Sequence, residues 1–160
     1  MCREQYQARV SGPLLDRIDL QIEVPAVSAA DLSLPAASET SAEVRARVIA
    51  ARRRQQERLA EFATARAGGP SGGGMPGRGP RTNAETSGVL LEKIAVLDAS
   101  GIALLRDAAS TLGLSARGYH RALKVARTLA DLDGQEAVGR PHVAEALSYR
   151  GETLRQRQAA

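Results

Sequence analysis

The sequence predicts a mainly α-helical fold, a small bundle of four or five helices with a flexible N-terminal stretch ahead of it and a glycine-rich loop inside it. Three observations carry this expectation. Apolar residues recur at helical spacing in segments that open on a capping residue and close on glycine. Strict alternation of the strand type occurs convincingly only over residues 18–24. The 43% hydrophobic fraction is mostly Ala, Leu and Val, with no Trp, a single Phe (Phe62) and three tyrosines, Tyr6, Tyr119 and Tyr149. Small apolar side chains suit closely packed helices better than a sandwich.

Along the chain, Ile18, Leu20, Ile22 and Val24 alternate with Asp19, Gln21 and Glu23, and Pro25 stops the run. One strand cannot pair its own N–H and C=O groups. Its sheet is expected elsewhere, and residues 1–39 are expected to be disordered or loosely packed by themselves. Residues 25–39 read as an Ala-, Ser- and Pro-rich linker. Thr40, with Glu43 three residues on, opens a long helix through a capping box. Val44, Val48, Ala51, Leu59 and Phe62 share one face of it, while Arg45, Arg47, Arg53 and Arg54 spread over the others as a solvated surface or a DNA-facing ridge. The helical domain is assigned to residues 40–150, with a flexible loop at 67–81 and a tail at 151–160. Gly68 to Gly79 has neither the lysine nor the Ser/Thr spacing of a phosphate loop. A short apolar helix follows at Val89 to Leu97. Asp98 then caps a helix carrying Ile102, Leu105, Ala109 and Leu112, ended by Gly113; Ser115 caps the next, which runs to about Leu132 before Gly134. Pro141 suits the first turn of a last helix through Tyr149, with Val143, Ala146 and Leu147 inward.

Charge and composition narrow the function. The net charge is +4, and only Lys93 and Lys124 among the 22 basic residues are lysines. An anionic partner fits this, as does a coding bias towards Arg. No aromatics interleave with the basic residues, which disfavours a base-stacking platform. Cys2 is the one cysteine, so no internal disulfide is available and a reducing cytoplasm is expected. No leader or membrane-spanning run is visible, and no metal site is predicted.

The chemistry concentrates in two arginine-centred segments, Ser11-Gly-Pro-Leu-Leu-Asp-Arg17-Ile-Asp19 and Leu114-Ser-Ala-Arg117-Gly-Tyr-His-Arg121-Ala-Leu-Lys124-Val-Ala-Arg127. A fixed guanidinium suits a phosphate that gathers charge during transfer. In the helix from Ser115, Tyr119, Ala122, Leu123, Ala126, Leu129 and Ala130 fall on one side, and Arg117, His120, Arg121, Lys124 and Arg127 on the other. That basic side is a solvated face or an anion site. Arg117 in the first turn opposes the helix dipole, an objection that an anion at the terminus would reverse. His120 and His142 lack a nucleophile or a second histidine nearby in sequence and read as surface or packing residues.

These segments, with Ser-Ala-Glu-Val-Arg-Ala-Arg-Val at 41–48, resemble the C-terminal part of the magnesium-chelatase-like AAA+ ATPases of the ComM competence-protein type. The resemblance implies that the helical part is the lid over the nucleotide. It makes Arg17 an arginine finger reaching a neighbouring subunit's ATP and Arg117 the sensor-2 contact to the β- and γ-phosphates. Arg121 is a further nucleotide-binding candidate, and Asp16 and Asp19 could orient the finger. It also implies ATP and Mg in the parent protein, with none bound to this part alone, since the phosphate loop and the acidic Mg motif are not in this sequence. Implied partners are the rest of the AAA+ core, further copies in a ring, expected to be a hexamer, and DNA for a branch-migration motor; this part by itself is expected to be a monomer. The alternatives are a helical module binding nucleic acid or protein without a nucleotide role, and the ATPase subunit of a metal chelatase.

Overall fold

The computed structural model describes residues 14, 17–22, 24–28, 39–67 and 79–150, with the backbone alone for 63–67. Residues 29–38 of the linker, most of the glycine loop, and the tail lie outside the described residues, as do Cys2, Tyr6 and Asp16. Five α-helices are present among the described residues: α1 (Ser41–Ala67), α2 (Gly88–Ile94), α3 (Ala99–Thr111), α4 (Ala116–Leu132) and α5 (Arg140–Ser148), with a 3-10 turn at Asn83–Glu85 before α2. The mainly helical expectation is met.

The predicted caps form. The Thr40 N–H donates to Glu43 Oε2 at 2.7 Å and the Glu43 N–H donates back to Thr40 Oγ1 at 3.3 Å, a complete capping box on α1. Asp98 Oδ1 accepts from the Gly101 N–H at 2.6 Å, and Ser115 Oγ from the Gly118 N–H at 3.0 Å. Past the end of α4, Gly134 takes a φ of +73°, a left-handed turn that a Cβ would strain. Pro141 lies in the first turn of α5, and Val143 and Ala146 are buried.

Helix α4 is the hub, packing against α1 on one flank and α5 on another, while α5 also packs on α3. The core gathers Leu59 of α1, Leu91 and Ile94 of α2, Leu105 of α3, the alanines of α4, and Val143 of α5. Burying a Leu, Ile or Val side chain stabilises by about 1.5–3 kcal/mol, and an alanine methyl by less than about 1 kcal/mol. Two junctions are stitched together where Val138 donates to Val96 O at 2.8 Å and accepts from the Asp98 N–H at 3.2 Å. Gly101 permits this approach, because a Cβ there would lie 2.7 Å from Val138 O.

Several local expectations are corrected. Among the described residues of 18–24 no strand forms, and Ile18, Leu20, Ile22 and Val24 are 41–83% exposed, since no neighbouring strand is there to complete a ladder. The short helix stops at Ile94, and Leu97 forms an isolated bridge with Val138. Ile102 is exposed and α3 buries Gly101, Leu105 and Ala108 instead, because its cap region is pinned against Val138. In α1, Val44 and Val48 remain exposed: at 27 residues, or about 40 Å, the helix outruns the body it packs on, and burial starts at Ala51.

Three capping carboxylates make the fold acid-sensitive. The Thr40 N–H holds Glu43, the Arg81 N–H holds Glu85 and the Gly101 N–H holds Asp98 below the ordinary carboxylate range. A group whose pKa is depressed by folding adds stability above its unfolded value, and that stability is lost as pH falls through the folded value. The thermal midpoint is therefore expected to be level from pH 7 to about pH 5 and to fall below about pH 4. Calorimetry across that range checks it; a midpoint that held or rose towards pH 3 would contradict the caps.

Candidate functional site

The N-terminal half of α4 forms one wall of a cleft of about 420 Å³. Ala116, Arg117, His120, Arg121 and Lys124 line that wall, Ala84 and Ser87 line the other, and Asp19 reaches in from the N-terminal segment. Helical spacing explains the first set, since positions 117, 120, 121 and 124 share a face. The 3-10 turn explains the second: it folds residues 83–85 back against α4, where Lys124 Nζ donates to Ala84 O at 2.9 Å.

Each basic residue has a distinct situation. Arg117, second residue of the helix, is exposed at the rim. The first-turn N–H groups of a helix lack intrahelical partners, and Ser115 Oγ takes that of Gly118. His120 is half-buried with its ring centroid 5.8 Å from that of Tyr119. Arg121 grips Asp19 with two nitrogens, Nε to Oδ1 and Nη2 to Oδ2, the latter at 3.1 Å. Asp19 is the one carboxylate among the lining residues. The cleft therefore offers cationic donors to an anion of phosphate size, and it offers no carboxylate set for a metal. Among the described residues no group of three or more His, Cys, Asp or Glu is placed to hold a metal ion.

Of the sequence-predicted site residues, Arg117, Arg121 and Asp19 come together in the cleft. Arg17 does not line it; this residue is exposed in a turn closed by its own N–H donating to Leu14 O at 2.9 Å. Asp16 lies outside the described residues. Asp19, which the resemblance offers as a residue that could orient the finger, holds its carboxylate against Arg121.

Arg127, expected on the basic face, is fully buried. Its Nη2 donates to Asp131 Oδ1 at 2.9 Å and to Gln135 O at 2.6 Å, and its Nη1 donates to Glu136 O. Arg58 of α1 grips the same carboxylate with both terminal nitrogens, and Asn83 Nδ2 donates to it at 2.8 Å. The reason is axial: α1 and the segment after α4 roof its C-terminal half, so a residue at the basic edge is covered there and open one turn earlier. Burial pulls the Arg127 guanidinium below its ordinary value and Asp131 pushes it back up. Sequence reasoning missed Asp131, Arg58 and Asn83; the i,i+4 spacing of Arg127 and Asp131 was the available signal. His142 is also buried, its Nδ1 accepting from the Gly139 N–H at 2.9 Å and its Nε2 lying 3.2 Å from Asp133. It closes the start of α5, a packing role.

No helix among the described residues is long and apolar enough to cross a membrane. Comparison with known proteins gives the lineage. Residues 38–150 match the family described as magnesium chelatase, subunit ChlI C-terminal, and residues 1–32 match magnesium chelatase, subunit ChlI. The chain is 39% identical over 147 residues to competence protein ComM of Haemophilus influenzae, covering 91% of this chain and 25% of that protein. It is 38% identical to YifB of Salmonella typhimurium over 91% of this chain and 25% of that protein, and 38% identical to Rv2897c of Mycobacterium tuberculosis over 92% and 26%. The chain thus spans about a quarter of the length of the curated relatives it matches. With the C-terminal match running through all five helices and the N-terminal one through the Arg17 segment, the chain belongs to the magnesium chelatase ChlI family, in its ComM-like branch.

Proposed function

We propose that this chain is the lid and sensor portion of a ring-forming ATPase that drives DNA branch migration, with Arg117 contacting the nucleotide of a site built mainly by the rest of the protein. The observation that carries the reading is the exposed Arg117 guanidinium at the start of α4, on the rim of a cationic cleft. A phosphate there meets a guanidinium, first-turn N–H groups and the positive end of the helix together. Bound ATP would supply the transferable γ-phosphoryl group, and bound Mg would offset its charge. This chain's residues fit the anion and leave the metal to others, since the cleft's one carboxylate is engaged by Arg121.

Arg117 senses the γ-phosphate in this reading: its presence draws α4 down and its loss releases the helix, so occupancy becomes movement of the whole lid. Arg17 serves as the finger for a neighbouring subunit, which makes hydrolysis depend on assembly of the ring, a hexamer. Arg117→Ala in the full-length protein is expected to cut ATP turnover by about 10²–10³-fold with the ring still intact by light scattering. Normal turnover combined with weaker DNA binding would sink this reading in favour of a helical nucleic-acid-binding module. The basic surface of α1, where Arg45, Arg52 and Arg53 are exposed, is what favours that second reading.

A further inference from the structure

We infer that Arg121 is a positioning residue for Arg17, and that the Asp19–Arg121 pair ties the segment carrying Arg17 to the helix carrying Arg117. The inference rests on the proposed reading of those two arginines as finger and sensor.

The attachment is geometric. A guanidinium holding a carboxylate through two nitrogens fixes direction as well as distance, and Arg121 holds Asp19 in that way. The pair is partly sheltered, with side chains 23% and 42% exposed. An isolated exposed ion pair would count for little, but a second link lies beside this one. The Gln21 N–H donates to Tyr149 O at 2.8 Å, at the C-terminal cap of α5, which itself packs on α4. Two residues of one short segment are thus anchored on the two helices that form one packed unit.

Arg17 is at most about 7 Å along the chain from Asp19, and its backbone is closed into a turn by its own N–H to Leu14 O. Arg117 and Arg121 are one turn apart on the same face of α4, separated by about 6 Å of rise. A shift of α4 that follows a phosphate at Arg117 therefore pulls Asp19, and with it the base of Arg17. Arg121 has its fork engaged by the chain's own carboxylate, whereas Arg117 stands exposed at the rim. The two arginines divide the work: one meets the phosphate of its own site, and the other passes the movement to the finger aimed at the next.

The test uses the full-length protein with Asp19→Asn, Arg121→Ala and the charge swap Asp19→Arg with Arg121→Asp. Each single substitution is expected to lower kcat by about 10²-fold, the scale of a misplaced catalytic group, with KM for ATP unchanged. Amide exchange at Gln21 is expected to quicken by about tenfold or more, and the swap to restore both quantities to within a few-fold. Unaltered kcat in the single variants would overturn the positioning role. A raised KM that the swap fails to restore would also overturn it, by making Arg121 a nucleotide ligand, and so would unaltered exchange at Gln21. If the wild-type protein hydrolyses no ATP while exchange at Gln21 still follows the pair, the ATPase reading fails and takes the link to Arg17 with it, leaving only the tether.

Discussion

Replacing Arg17 by alanine in the full-length protein is expected to reduce ATP turnover by about 10³-fold or more while leaving ATP affinity within a few-fold of wild type. The expected size follows from where the charge acts. A finger meets the γ-phosphoryl oxygens as negative charge accumulates on them, so its loss raises the barrier and barely affects the ground state. Arg17 is exposed on its turn and does not line the cleft of its own α4, a placement suited to a guanidinium that acts on a neighbouring subunit. Arg17→Lys is expected to recover little, because a point charge cannot reproduce the planar fork. Mixing Arg17→Ala with Arg117→Ala subunits gives the sharper measurement. If one residue acts across the boundary and the other within its own subunit, some interfaces of a mixed ring carry both intact, and turnover partly returns. Single-turnover rates unchanged in Arg17→Ala would remove the finger assignment.

The second large effect concerns stability. Asp131→Ala is expected to destabilise the helical domain by about 3–5 kcal/mol and to lower its thermal midpoint by more than about 10 °C. The carboxylate is fully buried and is shared by Arg127, Arg58 and Asn83, which joins α4 to α1 and to the turn before α2. Removing it strands a buried guanidinium, and an unpaired buried charge costs far more than the intact pair contributes. The double change Arg127→Met with Asp131→Leu is expected to recover most of the loss, since well-packed apolar groups commonly replace a buried pair at little cost. Asp19→Asn, at a half-exposed pair away from the core, is expected to leave the midpoint nearly unchanged. Thermal unfolding followed by circular dichroism separates the three variants. Equal midpoints for wild type and Asp131→Ala would show that the cluster is better solvated than its burial implies.

How far the sequence could be read differs by level. Helix starts were legible because a cap is a local object: Thr40 with Glu43, Asp98 and Ser115 each satisfy first-turn donors within four residues, and Pro141 removes one, whatever the rest of the chain does. The stripe of alanines and leucines on α4 was legible for a similar reason, since 3.6-residue periodicity reports the angle around a helix. Arg117, Arg121 and Lys124 followed from the same angle and do share one cleft. The exposure of Val44, Val48 and Ile102 was not legible. Periodicity carries no information on where along its axis a helix is covered, and α1 is longer than the body it packs on.

Chain order and local chemistry by themselves determined the helical class, the positions of the caps and the family to which these motifs belong. Tertiary packing alone decided the fate of the charges. It buried Arg127 under α1 and the segment at 135–136, left Arg117 open about 15 Å earlier along the same helix, and carried Asp19 across about a hundred residues of sequence to Arg121. The physical reason is that a charge's role is set by its desolvation and its partners, and both depend on which distant segment lies over it.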